Sequence, residues 1–263
     1  MAQATSPSGT EQPAGAVGYV LGTPLQITSY TEWITRCHQL AKEHQTFVVD
    51  FTNTYILTMR RHDSQFRQLT SRVDFFIPDA MPLVWCLNRQ GARMKDRVYG
   101  PTFLRQCVLA SPAPLTHYFL GGSEDCLARL QSALHALNPN LRVVGAHHGY
   151  FRPDEEAAII EDLNALSPDF IWIGLGTPKQ QAWSYRHKSA LRRGVIFLAG
   201  YAFDVNAGTK PDAPLWLQKA GLGWLFRLAS EPRRLLGRYL KYNSLFLFYL
   251  LWDGLRGRAF AQD

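Results

Sequence analysis

The sequence has 263 residues, 46% hydrophobic, 13% aromatic and 19% charged, with a formal net charge of +7. That is enough apolar material for one large domain with its own core, and the basic excess points to an anionic partner. The longest apolar run, LFLFYLLW at 245–252, falls far short of the ~20 residues of a membrane span; four scattered cysteines with no Cys-x-x-Cys pair read as small buried apolar residues in a reducing compartment.

In chain order, MAQATSPSGTEQPAGA lacks the basic and apolar regions of a secretory signal and is expected to be disordered over residues 1–16. AVGYVLG (16–22) reads as a strand. SYTEWITRCHQLAKEH (29–44) reads as a helix opened by a Ser29-x-x-Glu32 capping box. TFVVDF (46–51) is a strand and NTYILTMRRH a helix. VDFFIPDAMPLVWCLNRQG gives a strand, a turn at Pro78–Asp79 and a helix to about Gln90; PTFLRQCVLA is helical. THYFLGG is a strand ending in Gly121 and Gly122. SEDCLARLQSALHAL is a helix with Ser123 as N-cap and two acids in its first turn. LRVVGAHHGYF, PDEEAAIIEDLNALS, DFIWIGLG, TPKQQAWSYRHKSALRR and VIFLAGY continue the alternation. Short apolar strands between amphipathic helices predict βαβ units and a Rossmann-like parallel sheet covered on both faces.

Near residue 210 the alternation stops. The sequence predicts an α/β core over 17–210 and a helical, basic, aromatic appendage over 211–263. The appendage carries most of the charge: from Lys219 to Arg258, eight lysines and arginines stand against two acids. Arg227, Arg234 and Arg238 fall near one helical face by their spacing. Some of Trp216, Trp224, Phe226 and Tyr239 are expected to pack on the core. NSLFLFYLLWDGLRGR, with its leucines, aromatics and flanking cations, suits the interface of an anionic bilayer, giving reversible peripheral attachment.

Two strand ends carry the candidate chemistry. IWIGLGTPKQQAW places Gly174 and Gly176 where parallel sheets collect ligands. Thr177 is suited to N-cap the next helix, Pro178 to be its first residue and Gln180 to close a capping box; a helix start with Lys179 beside it favours an anion. This is neither a Walker A loop nor the full dinucleotide fingerprint, so an ordinary tight connection remains an equal reading of the turn alone. FFIPDAMPL places Asp79 just after another strand, either as a helix N-cap or as a carboxylate on the ligand rim. If the ligand is an activated sugar, one such base is enough to take the proton of an attacking hydroxyl and invert the anomeric carbon. The departing diphosphate then needs positive charge. No Asp-x-Asp and no His/Cys cluster with ligand spacing supplies a metal, and the adjacent His147–His148 would face opposite ways in a strand, so the basic tail is the obvious source.

FIPDAMPLVW with RVYGPTF, HGYFRPDEEAAII with DFIWIGLGTPKQQAW, and FLAGYAFDVNAGTKPDAPLWLQKAGLGWLFRLASEPRRLLGRYLKY together resemble the WecG/TagA/CpsF family of bacterial glycosyltransferases over roughly residues 18–245. The resemblance implies an inverting, metal-independent and cofactor-free transfer of a hexose or N-acetylhexosamine from a UDP-sugar to a polyprenyl-diphosphate-linked glycan, in cell-surface polysaccharide synthesis. It implies a cytoplasmic enzyme, peripheral on the inner face of the cell membrane. It assigns Asp79 as base, Arg97 as an active-site arginine, and Asn53, Gly122, Tyr150, Gly176, Lys179 and Gln180 to the donor pocket. Arg227, Arg233, Arg234 and Arg238 belong to the tail that closes over the diphosphate. The chain departs from the family pattern at Phe51 (Thr), Thr54–Tyr55 (Pro-Glu), Ala80 (Gly) and Gln181 (Glu). These cluster where a donor sugar would lie, so the resemblance implies the reaction rather than N-acetylmannosamine in particular.

Two other classes stand beside this one: a nucleotide-dependent oxidoreductase on the same core, and a non-enzymatic basic module holding anionic lipid or nucleic acid. On the favoured reading nucleic acid is not a partner, and exposed tail aromatics would allow self-association away from a membrane.

Overall fold

A computed structural model describes residues 15–111 and 115–261. The segment expected to be disordered lies mostly outside these residues; its last two, Gly15 and Ala16, lie within them, and the Ala16 carbonyl accepts from the Ile27 amide.

The predicted alternation folds into one eight-stranded sheet, with strands β1 (Val17–Val20), β2 (Thr23–Gln26), β3 (Thr46–Thr52), β4 (Phe75–Pro78), β5 (Thr116–Gly121), β6 (Arg142–His147), β7 (Phe170–Gly174) and β8 (Gly194–Leu198). Their order is β1-β2-β4-β3-β8-β7-β5-β6. All neighbours pair in parallel except β1 and β2. Instead of one strand over 16–22, the chain turns back at Leu21–Gly22, both with left-handed backbone (φ 48° and 72°). Such a two-residue turn matches the twist of a hairpin, and Leu21 gave no sequence signal for it.

The central strands are buried on both faces, and their side chains divide between two cores with the two-residue period of a strand. Phe170, Trp172, Val195 and Phe197 meet helices α1 (Tyr30–Leu40), α5 (Gly100–Ala110), α6 (Glu124–Leu137) and α9 (Gly200–Asn206). Ile171, Ile173, Ile196 and Leu198 face α7 (Glu156–Leu166) and α8 (Lys179–His187). The Ser29–Glu32 capping box and the Ser123 N-cap form as the sequence predicts. All four cysteines are buried and unpaired.

Beyond residue 210 the chain forms α10 (Leu215–Lys219), α11 (Gly223–Ser230) and α12 (Pro232–Leu255). α12 runs alongside α2 (Thr54–His62). Arg61 makes a two-pronged ion pair with Asp253 (2.9 and 3.1 Å), and His62 Nδ1 lies 2.6 Å from the Tyr249 hydroxyl. Phe246 enters the third core with Leu57, Phe76 and α4 (Met81–Arg89), and the Ala259 carbonyl accepts from the Leu21 amide. The expectation that Arg227, Arg234 and Arg238 share one helix fails: Pro232 forces the residue before it out of helical geometry (Glu231 φ −137°, ψ 59°), ending α11 at Ser230.

The ends of β5 and β7 meet glycine to glycine, Gly121 opposite Gly174. Gly121 has φ +137°, and a Cβ there would lie 2.4 Å from the Gly174 carbonyl carbon. Gly121→Ala should therefore cost at least about 2 kcal/mol, lowering the melting temperature by roughly 4–8 °C; a thermal melt matching wild type would show that the two strand ends do not depend on this contact.

Candidate active site

The carboxyl ends of β3, β4, β5, β7 and β8 open into one cleft of about 540 Å³, within the usual range for a small-molecule site. Its lining contains Asp79, Arg97, Asn53, Gly122, Tyr150, Gly176, Lys179, Gln180, Arg227, Arg234 and Arg238. Residues spread over nearly two hundred positions of sequence thus converge on one space. Arg233 is the exception: it is exposed on α12 and does not line the cleft. It sits one residue, about 100° of helix, away from Arg234 and so points from a different face.

Asp79 follows β4. It does not cap α4, whose cap position is Ala80 with no side-chain bond. Its Oδ1 instead accepts from the Gly100 amide at the start of α5 (2.9 Å), and its own amide donates to the Thr52 carbonyl (2.8 Å). The carboxyl is thereby fixed between β3, β4 and α5 with its second oxygen unbonded among the described residues. Burial pushes its pKa up to about 7, against the opposing pull of Arg97, the Gly100 amide and Arg227. A carboxyl poised near neutrality is suited to take a proton.

Arg97 lies beside it. One guanidinium nitrogen donates to the Asp79 carbonyl (3.2 Å), another to Gln218 Oε1 on α10 (2.9 Å), and the group stacks on Tyr99 at 4.2 Å. Tyr99 donates to Asp212 Oδ1 (2.7 Å), and Gln218 Nε2 donates to Asp212 Oδ2 (3.2 Å). The start of the appendage is thus tied to the arginine nearest the carboxyl.

Across the cleft, the turn after β7 differs from the predicted capping box. α8 begins at Lys179 after Pro178, and no side-chain cap forms. The Thr177 hydroxyl instead accepts from Gln181 Nε2 (3.3 Å), which also donates to the buried Asp50 (2.8 Å). Burial raises the Asp50 pKa, with Thr52 and Gln181 as opposing hydrogen-bond donors. A glutamate at 181 would set a second acid against Asp50, so the glutamine has a structural reason. Gln180 is 4% exposed, and its Oε1 is buried with no partner among the described residues. Lys179 is exposed beside it, and Tyr150 is 78% exposed at the rim. Asn53 caps α2 by accepting from the Ile56 amide (3.2 Å) while also lining the cleft.

The tail closes one side. Arg227 lies over the Tyr201 ring (3.6 Å) and Arg238 over the Tyr55 ring (4.9 Å). Arg234 pairs with Glu231, and Lys210 bridges Asp204 (2.9 Å) and Glu231 (3.1 Å). Sequence reasoning missed Asp204, Lys210, Asp212, Gln218 and Tyr201 as cleft residues. The run FDVNAGTKPDAP held several of them, but nothing in their spacing said that β8 would aim that loop at the cleft. Among the described residues, no group of three or more His, Cys, Asp or Glu side chains is placed to hold a metal ion.

Comparison with known proteins adds an independent line. Curated relatives include proteins of Staphylococcus aureus strains MW2, NCTC 8325 and MRSA252, each named N-acetylglucosaminyldiphosphoundecaprenol N-acetyl-beta-D-mannosaminyltransferase. Each is 24% identical over 235 residues, covering 87% of this chain and 90% of the relative. The model of the Glycosyl transferase WecG/TagA/CpsF family matches residues 19–260. With strand-end glycines, the Asp79 carboxyl and a cationic tail converging on one cleft, the chain belongs to the WecG/TagA/CpsF family of glycosyltransferases.

Proposed function

We propose that this glycosyltransferase moves a hexose or N-acetylhexosamine from a UDP-sugar to a glycan on a polyprenyl diphosphate, with inversion and without a metal. The observation that carries this reading is the placement of Asp79, a half-buried carboxyl with a raised pKa, in the same cleft as Gly176, Gln180 and the tail arginines. The acceptor hydroxyl gives its proton to the free oxygen of Asp79 while its oxygen attacks the anomeric carbon. The bond from that carbon to the diphosphate oxygen breaks on the opposite face, and the electron pair leaves with UDP. Arg227 and Arg238 neutralise the charge that develops there. Gly122, Gly176, Lys179 and Gln180 hold the nucleotide, with Tyr150 at the rim. The S. aureus relatives are named for a diphosphoundecaprenol acceptor, which supports a lipid-linked substrate for this chain as well.

In this reading residues 17–210 form the catalytic core and 211–263 the membrane-facing appendage. Among the described residues no helix is long and apolar enough to cross a membrane. α12 does leave Leu240, Leu247, Phe248, Leu251, Trp252 and Leu255 exposed, with Lys241, Arg256 and Arg258 near them. Such a face suits the inner leaflet of a bacterial cell membrane, where anionic lipid and a prenyl-linked acceptor meet.

The direct test is transfer from a series of UDP-sugars to a short-chain lipid-diphosphate glycan in the presence of EDTA. Wild type should turn over, and Asp79→Asn should lose about a hundredfold to ten-thousandfold in kcat with UDP affinity kept; activity retained in that variant would remove the mechanism. Because protonated Asp79 cannot accept the hydroxyl proton, kcat/KM should climb with pH through about 7. A flat profile on the acid side of 7 would contradict the assignment. Leu251 and Leu255 are 70% and 89% exposed, so Leu251→Glu with Leu255→Glu should leave the melt unchanged yet abolish sedimentation with anionic phosphatidylglycerol vesicles. Undiminished sedimentation would place the membrane contact elsewhere.

A further inference from the structure

The cations along the tail side of the cleft are not held alike. Lys210 and Arg234 are neutralised by carboxylates, sharing Glu231, while Lys210 also meets Asp204. Arg227 and Arg238 have no carboxylate partner among the described residues. Each lies instead over a tyrosine ring: Arg227 over Tyr201 at 3.6 Å, Arg238 over Tyr55 at 4.9 Å. Arg238 also lies 5.5 Å from the Tyr239 ring, and its Nε is buried without a hydrogen-bond partner.

The rings are themselves braced. The Tyr201 hydroxyl donates to the Pro211 carbonyl (2.9 Å), and Tyr55 packs edge-on against Tyr242 of α12 at 4.7 Å. Tyr55 and Tyr201 are both half-buried. Their rings come from different parts of the core, the first turn of α2 and the start of α9.

A carboxylate in either place would fix the guanidinium equally well, but it would cancel the charge that an anionic ligand needs. A π face attracts a cation through its quadrupole and accepts no hydrogen bond in the guanidinium plane. The five N–H donors of the planar fork remain available for phosphate oxygens.

We propose that Tyr55 and Tyr201 are positioning residues that seat Arg238 and Arg227 on aromatic faces, so that both reach a nucleoside diphosphate with their charge uncancelled. This rests on the UDP reading above and deepens it: the diphosphate is gripped by these two arginines, and Arg234 serves mainly to hold Glu231.

The test is calorimetric titration of the full chain with UDP and with uridine. Tyr55→Leu and Tyr201→Leu, which keep apolar bulk but lose the ring, should weaken UDP binding by roughly three- to thirtyfold, the range of a cation–π contact, and leave uridine binding unchanged. Tyr55→Phe, which keeps the ring, should bind UDP as wild type does. Tyr55→Leu should add nothing to Arg238→Ala, because the two act through one contact. The proposal falls if the leucine variants bind UDP normally, if uridine weakens in step with UDP, or if the Tyr55 and Arg238 effects add. If Arg227→Ala and Arg238→Ala themselves leave UDP affinity untouched, the diphosphate reading falls with it; if they weaken it while the leucine variants do not, only the tyrosine seats fall. A Tyr55→Phe variant with a normal melt and lost UDP affinity would likewise overturn it, since the ring face would then not be what matters.

Discussion

The hydrogen bond from the Gly100 amide to Asp79 fixes the carboxyl on which the proposed chemistry turns. It joins the end of β4 to the start of α5, so the carboxyl cannot swing away to cap its own helix. It occupies one oxygen and leaves the other unbonded among the described residues. Burial then raises the proton affinity of the group, while Arg97 and Arg227 keep the rise within a useful range. Removing the Gly100 donor would free the side chain and push its pKa higher still, since one of the groups favouring the anion would be gone.

The same economy of partners recurs around the cleft. Two carboxylates have two side-chain donors each: Asp50 accepts from Thr52 and Gln181, and Asp212 accepts from Tyr99 and Gln218. Groups assigned to the substrate are left with capacity. Gln180 Oε1 is buried without a partner among the described residues, and Arg238 Nε is in the same condition. Buried polar atoms are costly to leave unpaired; they also occur away from the cleft, at Trp33, His38, Thr58, Gln181, Trp183 and Arg193, so it is their place in the cleft lining that sets Gln180 and Arg238 apart. The rival readings of a dinucleotide oxidoreductase and of a non-enzymatic basic module do not survive the family assignment.

Much of the fold was legible because the apolar periods are strong. The paired phenylalanine, tryptophan and isoleucine runs of β7 and β8 can only be central strands, and Ser29 and Ser123 announce their helices. What escaped notice depended on contacts distant in sequence. β2 returns through a turn at Leu21, a residue with no turn preference of its own. Arg227 and Arg238 meet tyrosines of the core rather than one another across a single helix. At the site, Asp79 and the Gly174–Gln180 turn were readable from strand-end logic, because parallel sheets present ligands there. The roles of Tyr55, Tyr201, Asp212 and Gln218 were not, since each depends on a partner more than nine residues away in the chain.

The fastening of α12 along α2 has a consequence for how anything gets in and out. α12 buries Leu235, Tyr239, Phe246 and Asp253, and the Arg61–Asp253 pair pins its far end. α10 and α11 hold no fully buried residue, only partly buried ones such as Leu217, Phe226 and Leu228. Where burial is least, local opening costs least. α12 is therefore the anchored element of the appendage, and the segment between residues 215 and 230, which carries Arg227, is the part for which local opening costs least.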